Sequence, residues 1–522
     1  MDLRSLACFR VLLACVVLYD VSQSWSLIDD WAGLQGFYDD LPLPSWIGFS
    51  DETILRLIFG TYAACTIGFL LGYRTGSCTL AVWLISSGHQ YAASNTLDYH
   101  DAVIVNLLLW SLVLPLGQRF SVDAALAANA NRGRRTPAQV VAGCGFVLTL
   151  AWLYLNTAAF KDGAAWWSEG SAVRFALMEF SARSPTGVWA LAHLPEAFLS
   201  TATHAIMAVE WVIPLLLLSP WKRSLLRMVG VLALAGMHGA MWLLMDIGSF
   251  PPTMVAAATA LLPAAFWNQV ARRMTGRKMP AAIEQTEQGS QGAASLACCG
   301  RARQYLLMAF FGLCTVINIE GDRLRVLNGD LRMLYPGATW VLKLKYLLGV
   351  ESSWAMYAPE PARYGGWWVA LGQRQDGSVI DLITGKPPTL DAPFPRKGAH
   401  YGLRGHYWSQ APYQDGPQHT YLRFLLWRDR TAPEVDRIVD LHLLYVYECY
   451  EPACMSGSSH RRYPLSVLTW PDADKTNRAP ASAGAEGAPN PRDAWVLYRA
   501  EFDRLGKPDW KPARLEPDRS SP

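Results

Sequence analysis

Charge is what this chain has least of. Asp, Glu, Lys and Arg make up 17 % of its 522 residues, while 51 % are hydrophobic and the mean hydropathy is positive at +0.12. Soluble domains carry about 25 % charged residues, so a wholly water-exposed protein is excluded. A formal net charge of +3 provides no basic footprint, and no nucleic-acid partner is expected. A Gly-rich phosphate loop and a nucleophile elbow are both missing, which argues against nucleotide chemistry and serine-hydrolase chemistry. Ten cysteines are present, but without metal-ligand spacing, and no metal is expected: the histidine closest to Cys449 and Cys454 is His460, which is not at finger spacing. Cys8, Cys15, Cys65, Cys78, Cys144 and Cys314 fall in apolar segments, where a thiol acts as a small hydrophobe. Cys298 and Cys299 lie in a polar linker. Cys449 and Cys454 are candidates for a disulfide if their compartment is oxidising, and spacing leaves that pairing open.

Long apolar runs take the place of charge. A bilayer core of ~30 Å needs roughly 17 to 25 apolar residues per helix. Nine stretches qualify, near residues 7–24, 54–73, 77–94, 101–118, 138–160, 199–219, 226–246, 252–269 and 304–320. The third is the weakest, interrupted by Ser86, Ser87, His89 and Gln90. No small-residue cleavage site follows the first, which therefore reads as an uncleaved span. The sequence thus predicts an all-α polytopic membrane bundle of about nine transmembrane helices, followed by a small α+β extracytoplasmic domain. By residue number this is a transmembrane bundle at 1–275, a cytoplasmic linker at 276–303, a last span at 304–320 and a soluble domain at 321–522. The stretch 472–493, rich in Ala, Pro and Gly, reads as disordered. In the tail, Asp376-Gly377 between Trp367–Leu371 and Ser378–Leu382 signals a hairpin, and Arg437–Glu448 reads as a strand.

Orientation follows from Lys and Arg. With the amino terminus inside, Arg4, Arg10, Arg74, Arg119 and the basic clusters near 132–135, 222–227, 272–278 and 301–303 fall on the cytoplasmic side. Arg56, Lys161, Arg174 and Arg183 fall outside. An odd number of spans then carries the tail to the outer face of a plasma membrane, with the lipid bilayer as the first partner.

Ionisable groups inside spans are expensive and face the bundle interior by default. At ~1.5 Å per residue, Glu210 lies near the midplane of its span, and His204 and His238 lie roughly 8 and 12 Å below the outer end. His89, His100, Asp101, Lys161 and Asp246 belong to the same outer half. Such groups can line a cavity that performs acid–base chemistry. Each also has a plain reading. Lys161 can snorkel beside Trp166 and Trp167, Asp101 can sit at a helix amino terminus, and the histidines can be hydrogen-bonded in the interior. Glu210 is the hardest to explain this way, since a mid-membrane carboxylate needs a partner or a proton. A transporter would also place ionisable groups in spans, but neither an inverted repeat nor paired broken helices are evident.

Five passages occur in an order that resembles a known family. They are Leu3-Arg4-Ser5-Leu6 followed by Gly36-Phe37-Tyr38-Asp39-Asp40, LPLGQRFSVD at 114–123, KDGAAWWSEGSA at 161–172, MHGAMWLLMDIGSFP at 237–251, and WAMYAPEP at 354–361 followed by GWWVALGQRQDGSVIDL. The chain resembles the bacterial horizontally transferred transmembrane domain (HTTM) proteins, relatives of the vitamin K-dependent gamma-carboxylase. The resemblance implies an inside amino terminus, a lumenal carboxy-terminal domain, and a reduced naphthoquinone, a vitamin K-like quinol, as cofactor. It also implies a lysine that deprotonates the quinol and a histidine that assists at the substrate carbanion; by motif these are Lys161 and His100. The carboxylase has two adjacent lysines where this chain reads Lys161-Asp162. Its propeptide-binding region also lacks a clear counterpart here. A second branch, of the sporulation-delaying-protein B type, implies a non-enzymatic accessory or maturation factor for an exported peptide or protein.

Overall fold

The computed structural model describes residues 1–25, 28, 51–92, 99–127, 136–179, 182–275, 305–306, 308–310, 312–313, 356–374, 376–383, 385–389, 438–450 and 462–470. The chain divides into two compact units. The first is helical and holds nearly all of the first 362 residues. Its helices are α1 (Leu3–Trp25), α2 (Asp51–Leu71), α3 (Thr75–Ala92), α4 (Tyr99–Ser111), the short α5 (Val122–Leu126), α6 (Pro137–Phe160), the single turn α7 (Ala164–Trp167), α8 (Ala172–Met178), α9 (Pro185–His193), α10 (Glu196–Leu218), α11 (Arg223–Leu244), α12 (Phe250–Thr259) and α13 (Ala264–Thr275).

Five of these, α1, α2, α6, α10 and α11, are long and apolar enough to cross a membrane, and α12 with α13 forms a sixth such segment bent by 88°. The bend replaces the straight span expected at 252–269. Pro263 has no amide hydrogen for a helical bond, and its ring disfavours helical backbone in the residue before it. The helix expected at 101–118 likewise stops at Ser111, four residues short of Pro115. Its 13 residues reach only ~20 Å. The weak third stretch forms α3, too polar to meet the same test. Of the stretch at 304–320, residues 305–306, 308–310 and 312–313 are described and helical. The linker at 276–303, the stretch 472–493, Gly36–Asp40, and the partner position Cys454 all lie outside the described residues.

Contacts at the helix ends fix their directions. Ser5 Oγ donates to Leu262 O at 2.6 Å, Arg4 to Asn268 Oδ1 at 2.9 Å, and Arg10 to Leu116 O at 2.7 Å. Asp123 Oδ1 accepts from the Arg74 amide at 2.8 Å. These unite the start of α1, the α2–α3 turn, the end of α4 and the end of the bent pair. Asp20 near the other end of α1 meets His100 and Ser249. The main segments α1, α2, α3, α4, α6, α10, α11 and α12–α13 therefore alternate in direction. Arg4, Arg10, Arg74, Arg119, Arg223, Arg227, Arg272 and Arg273 gather at one end, here called the basic end. Helix α6 packs on α10, α10 on α11, α11 on α12, and α1 on both α2 and α12.

The buried stripe of α10 reads Leu199, Thr203, Met207, Glu210, Ile213, Pro214 and Leu217, the three- and four-residue spacing of one helix face. Pro214 lies inside this helix and has no amide hydrogen to give to the carbonyl of Glu210, four residues earlier.

The second unit contains a four-stranded antiparallel sheet of order β2-β1-β3-β4, with β1 Tyr364–Arg374, β2 Val379–Asp381, β3 Ile438–Cys449 and β4 Arg462–Trp470. The hairpin expected at Asp376-Gly377 joins β1 to β2. Asp376 Oδ1 accepts from the Ser378 amide at 2.8 Å, and Gly377 takes the positive φ of 83° that the turn requires. Buried Asp381 ties the hairpin to its core, accepting from the amides of Ala370 and Ile383 at 3.0 and 3.1 Å. Among the described residues the tail shows strands, and the helices of an α+β tail are not seen there.

Candidate functional site

Two polar clusters lie away from the basic end. The first is built where α6 ends. Thr136 opens α6 with a reciprocal side-chain cap, and Lys161 closes it. The Lys161 side chain turns inward and is 3 % exposed as a residue. Its Nζ donates to Glu210 Oε1 at 2.6 Å, and Glu210 is 2 % exposed. The same ammonium lies 4.4 Å from the centre of the Trp166 ring, a cation–π contact. Lys161 is thus buried and paired, not snorkelling. Glu210 Oε2 is buried without a hydrogen-bond partner among the described residues.

Tyr154, two turns before Lys161 on α6, shares a 2.6 Å hydrogen bond with Nε2 of His238 on α11. His238 is 2 % exposed, stands edge-on to Phe250, and its Nδ1 is buried with no partner among the described residues. His238 lies within electrostatic reach of Lys161, and Tyr154 within reach of Glu210. The bundle interior thus holds two buried polar pairs, Lys161–Glu210 and Tyr154–His238.

A strap from residues 356–361 covers the turn after Lys161. The Gly163 amide donates to Pro359 O at 3.1 Å, the Ala165 amide to Glu360 Oε2 at 3.1 Å, and Trp166 Nε1 to Tyr357 O at 2.8 Å. Glu360 thereby places a carboxylate at the start of the single turn α7, where free amides favour negative charge. A Cβ at Gly163 would come within 2.8 Å of both Pro359 O and Glu360 Cβ, so this close approach requires glycine. The KDGAAWW and YAPEP passages, far apart in sequence, are here one structural element.

The second cluster surrounds His100. Its Nε2 lies 3.8 Å from Asp20 Oδ1 and 3.7 Å from Asp101 Oδ1, and Ser249 Oγ donates to Asp20. His89 borders the same region, edge-on to Phe59 at 5.2 Å. It helps line a cavity of about 30 Å³ with Asp20, Tyr62, Ser86, Gln90 and Asp101, room for about one water. Ser249 and Phe250 are consecutive, so the start of α12 touches both clusters.

The expected site residues therefore separate. Lys161, Glu210 and His238 come together, while His100, Asp101 and His89 form the neighbouring group. His204 does not turn inward: it is exposed, with its ring nitrogens 3.0 and 3.1 Å from Ser200 O and Trp167 O. It lies next to Thr203 in sequence, about 100° around the helix from the buried stripe. Asp246 is half-buried, and its amide donates to Ala182 O at 2.8 Å. Tyr154, Asp20, Ser249 and Glu360 join the site without having been expected. For Tyr154 the available signal was its position seven residues before Lys161, on the same helix face.

The LPLGQRFSVD and LRSL passages have structural work at the basic end. In LPLGQRFSVD, fully buried Arg10 bonds Leu116 O and Phe120 O, and Asp123 takes the amides of Arg74 and Thr75 and the Thr75 hydroxyl. In LRSL, Ser5 accepts from Trp267 Nε1 at 2.7 Å.

Alternating apolar helices around a sealed lysine–carboxylate pair define a helical protein of membrane type with an ionisable centre inside its bundle. Comparisons with protein-family models, curated proteins and solved structures found no match, and the chemistry of the centre rests on its own residues.

Proposed function

We propose that the Lys161–Glu210 pair is a proton-transfer centre of a quinol-dependent oxygenase or carboxylase-like membrane enzyme, with Lys161 as base. The buried 2.6 Å contact between Lys161 Nζ and Glu210 Oε1 carries this reading. A proton moving from Nζ to Oε1 turns two buried charges into a neutral amine and a neutral acid, which removes the desolvation cost of both ions. The neutral amine can then accept a proton from an acidic hydroxyl. The unpartnered Glu210 Oε2 and His238 Nδ1 fit such a group, since a hydroxyl-bearing ring would supply the hydrogen-bond partners they lack. A reduced naphthoquinone, when bound, supplies that hydroxyl and a ring whose oxidation by oxygen drives proton abstraction from substrate. Lys161 takes the hydroxyl proton and Glu210 holds the lysine in place. Trp166 and the 356–361 strap exclude water. His100, in the adjoining cluster, is proposed as the helper at the substrate carbon.

In this proposal the basic end faces the cytoplasm, the last span brings the number to nine, and the tail is extracytoplasmic. The collection of arginines at one end supports that orientation. Membranes containing the protein are expected to convert a reduced naphthoquinone to its epoxide, and Lys161→Ala to abolish the conversion. No turnover by folded wild type with several quinols would sink the enzymatic reading. It would leave a maturation factor for an exported peptide, whose function would survive Lys161→Ala and be lost with residues 321–522.

A further inference from the structure

A cavity lies at the basic end, remote from Lys161. It measures about 500 Å³ and is walled by Val147 and Leu148 of α6 and by Leu217 and Leu218 of α10, with Arg223 and Arg227 also lining it. The two arginines are four residues apart on α11 and share one face. Among the described residues no Asp or Glu lines the cavity, and the first turn of α11 contains no acidic residue and no side-chain cap. Arg227 Nε is buried with no hydrogen-bond partner among the described residues. Two guanidinium groups beside the positive end of a 22-residue helix favour an anionic group at this position. The walls set the rest of the ligand. They are largely aliphatic, and Trp221 and Leu225, which flank Arg223 in sequence, are 82 % and 58 % accessible, as residues at a membrane interface are.

We propose that this cavity binds an anionic phospholipid, its phosphate held by Arg223 and Arg227 and one acyl chain lying against Leu148 and Leu217. Guanidinium forks match phosphate oxygens bidentately. Free inorganic phosphate would leave the apolar wall uncovered, and a zwitterionic lipid would bring its quaternary ammonium cation beside the two guanidinium groups. The site is independent of the proton-transfer centre.

Native mass spectrometry of the full chain in detergent, with equal amounts of dioleoyl phosphatidylglycerol and dioleoyl phosphatidylcholine, tests this. Wild type is expected to retain phosphatidylglycerol on the order of tenfold or more better than phosphatidylcholine. Arg223→Gln/Arg227→Gln is expected to erase that preference. Leu148→Trp, which fills the acyl space and keeps both charges, is expected to weaken phosphatidylglycerol binding while the unfolding midpoint stays near wild type. Equal retention of the two lipids, a preference surviving the double substitution, unchanged binding in Leu148→Trp, or complete displacement by millimolar inorganic phosphate would each overturn the proposal.

Discussion

Lys161 Nζ and Glu210 Oε1 meet at 2.6 Å across a separation of 49 residues, and each is the other's compensation for burial. Removing either partner strands a charge, at a cost of roughly 3–5 kcal/mol. Lys161→Met and Glu210→Leu are each expected to lower stability by that amount in detergent. The double variant is expected to lose much less than the sum. Denaturant unfolding of the four proteins measures the coupling; additive losses would show that the pair contributes nothing.

The Tyr154–His238 bond has a similar logic without charge. Tyr154→Phe leaves Nε2 of a fully buried imidazole unsatisfied, and a destabilisation of about 1–3 kcal/mol is expected. Adding His238→Leu removes the orphan and recovers part of the loss. A double variant less stable than Tyr154→Phe alone by a full further increment contradicts the assignment.

The 356–361 strap depends on Gly163 and Glu360. Glu360→Ala is expected to cost about 1 kcal/mol of local protection, roughly fivefold faster hydrogen exchange at the Ala165 amide. Gly163→Val is expected to free the strap, with faster exchange through 163–166. Unchanged exchange in both variants would mean that the strap is not held by these contacts.

Asp123 predicts an acid limb of stability. Burial works against its carboxylate, but hydrogen bonds from Thr75 and from the Arg74 amide, with Arg10 nearby, hold it below the ordinary carboxylate value. A lowered folded value means that its contribution is fully present above the unfolded value of about 3.9 and is lost as pH falls through the folded one. Asp123→Asn is therefore expected to be less stable than wild type at neutral pH, with the gap closing as the solution is acidified below about pH 4. Unfolding midpoints across pH decide it; a gap independent of pH refutes the carboxylate's role.

The apolar runs marked helix positions well because a helix buries its own backbone polar groups and needs only length and hydropathy to be read. They could not mark where a helix stops inside an apolar run: Pro115 and Pro263 decide that, by geometry independent of hydropathy. The Asp376-Gly377 turn was legible because its chemistry is local. The site was legible only in half. Lys161, Glu210, His100 and His238 stand out as polar residues among apolar ones, but partners come from segments 49 and 84 residues away in the Lys161–Glu210 and Tyr154–His238 contacts. Periodicity separates His204 from Glu210 on α10, whereas depth along the helix alone puts both in one cavity. Glu360 lies in an irregular segment, where no period signals a contact.

Pro214 gives the ion pair a mechanical setting. An uninterrupted helix would resist bending at residue 210 through its own backbone ladder; this one is missing the rung that would fasten that turn. Glu210 is therefore carried on a turn short of one backbone hydrogen bond, opposite a lysine whose ammonium rests on the Trp166 ring. A few degrees of flexion there would change the separation of the two groups without unfolding either helix. The buried ion pair and the missing backbone hydrogen bond meet at the same residue.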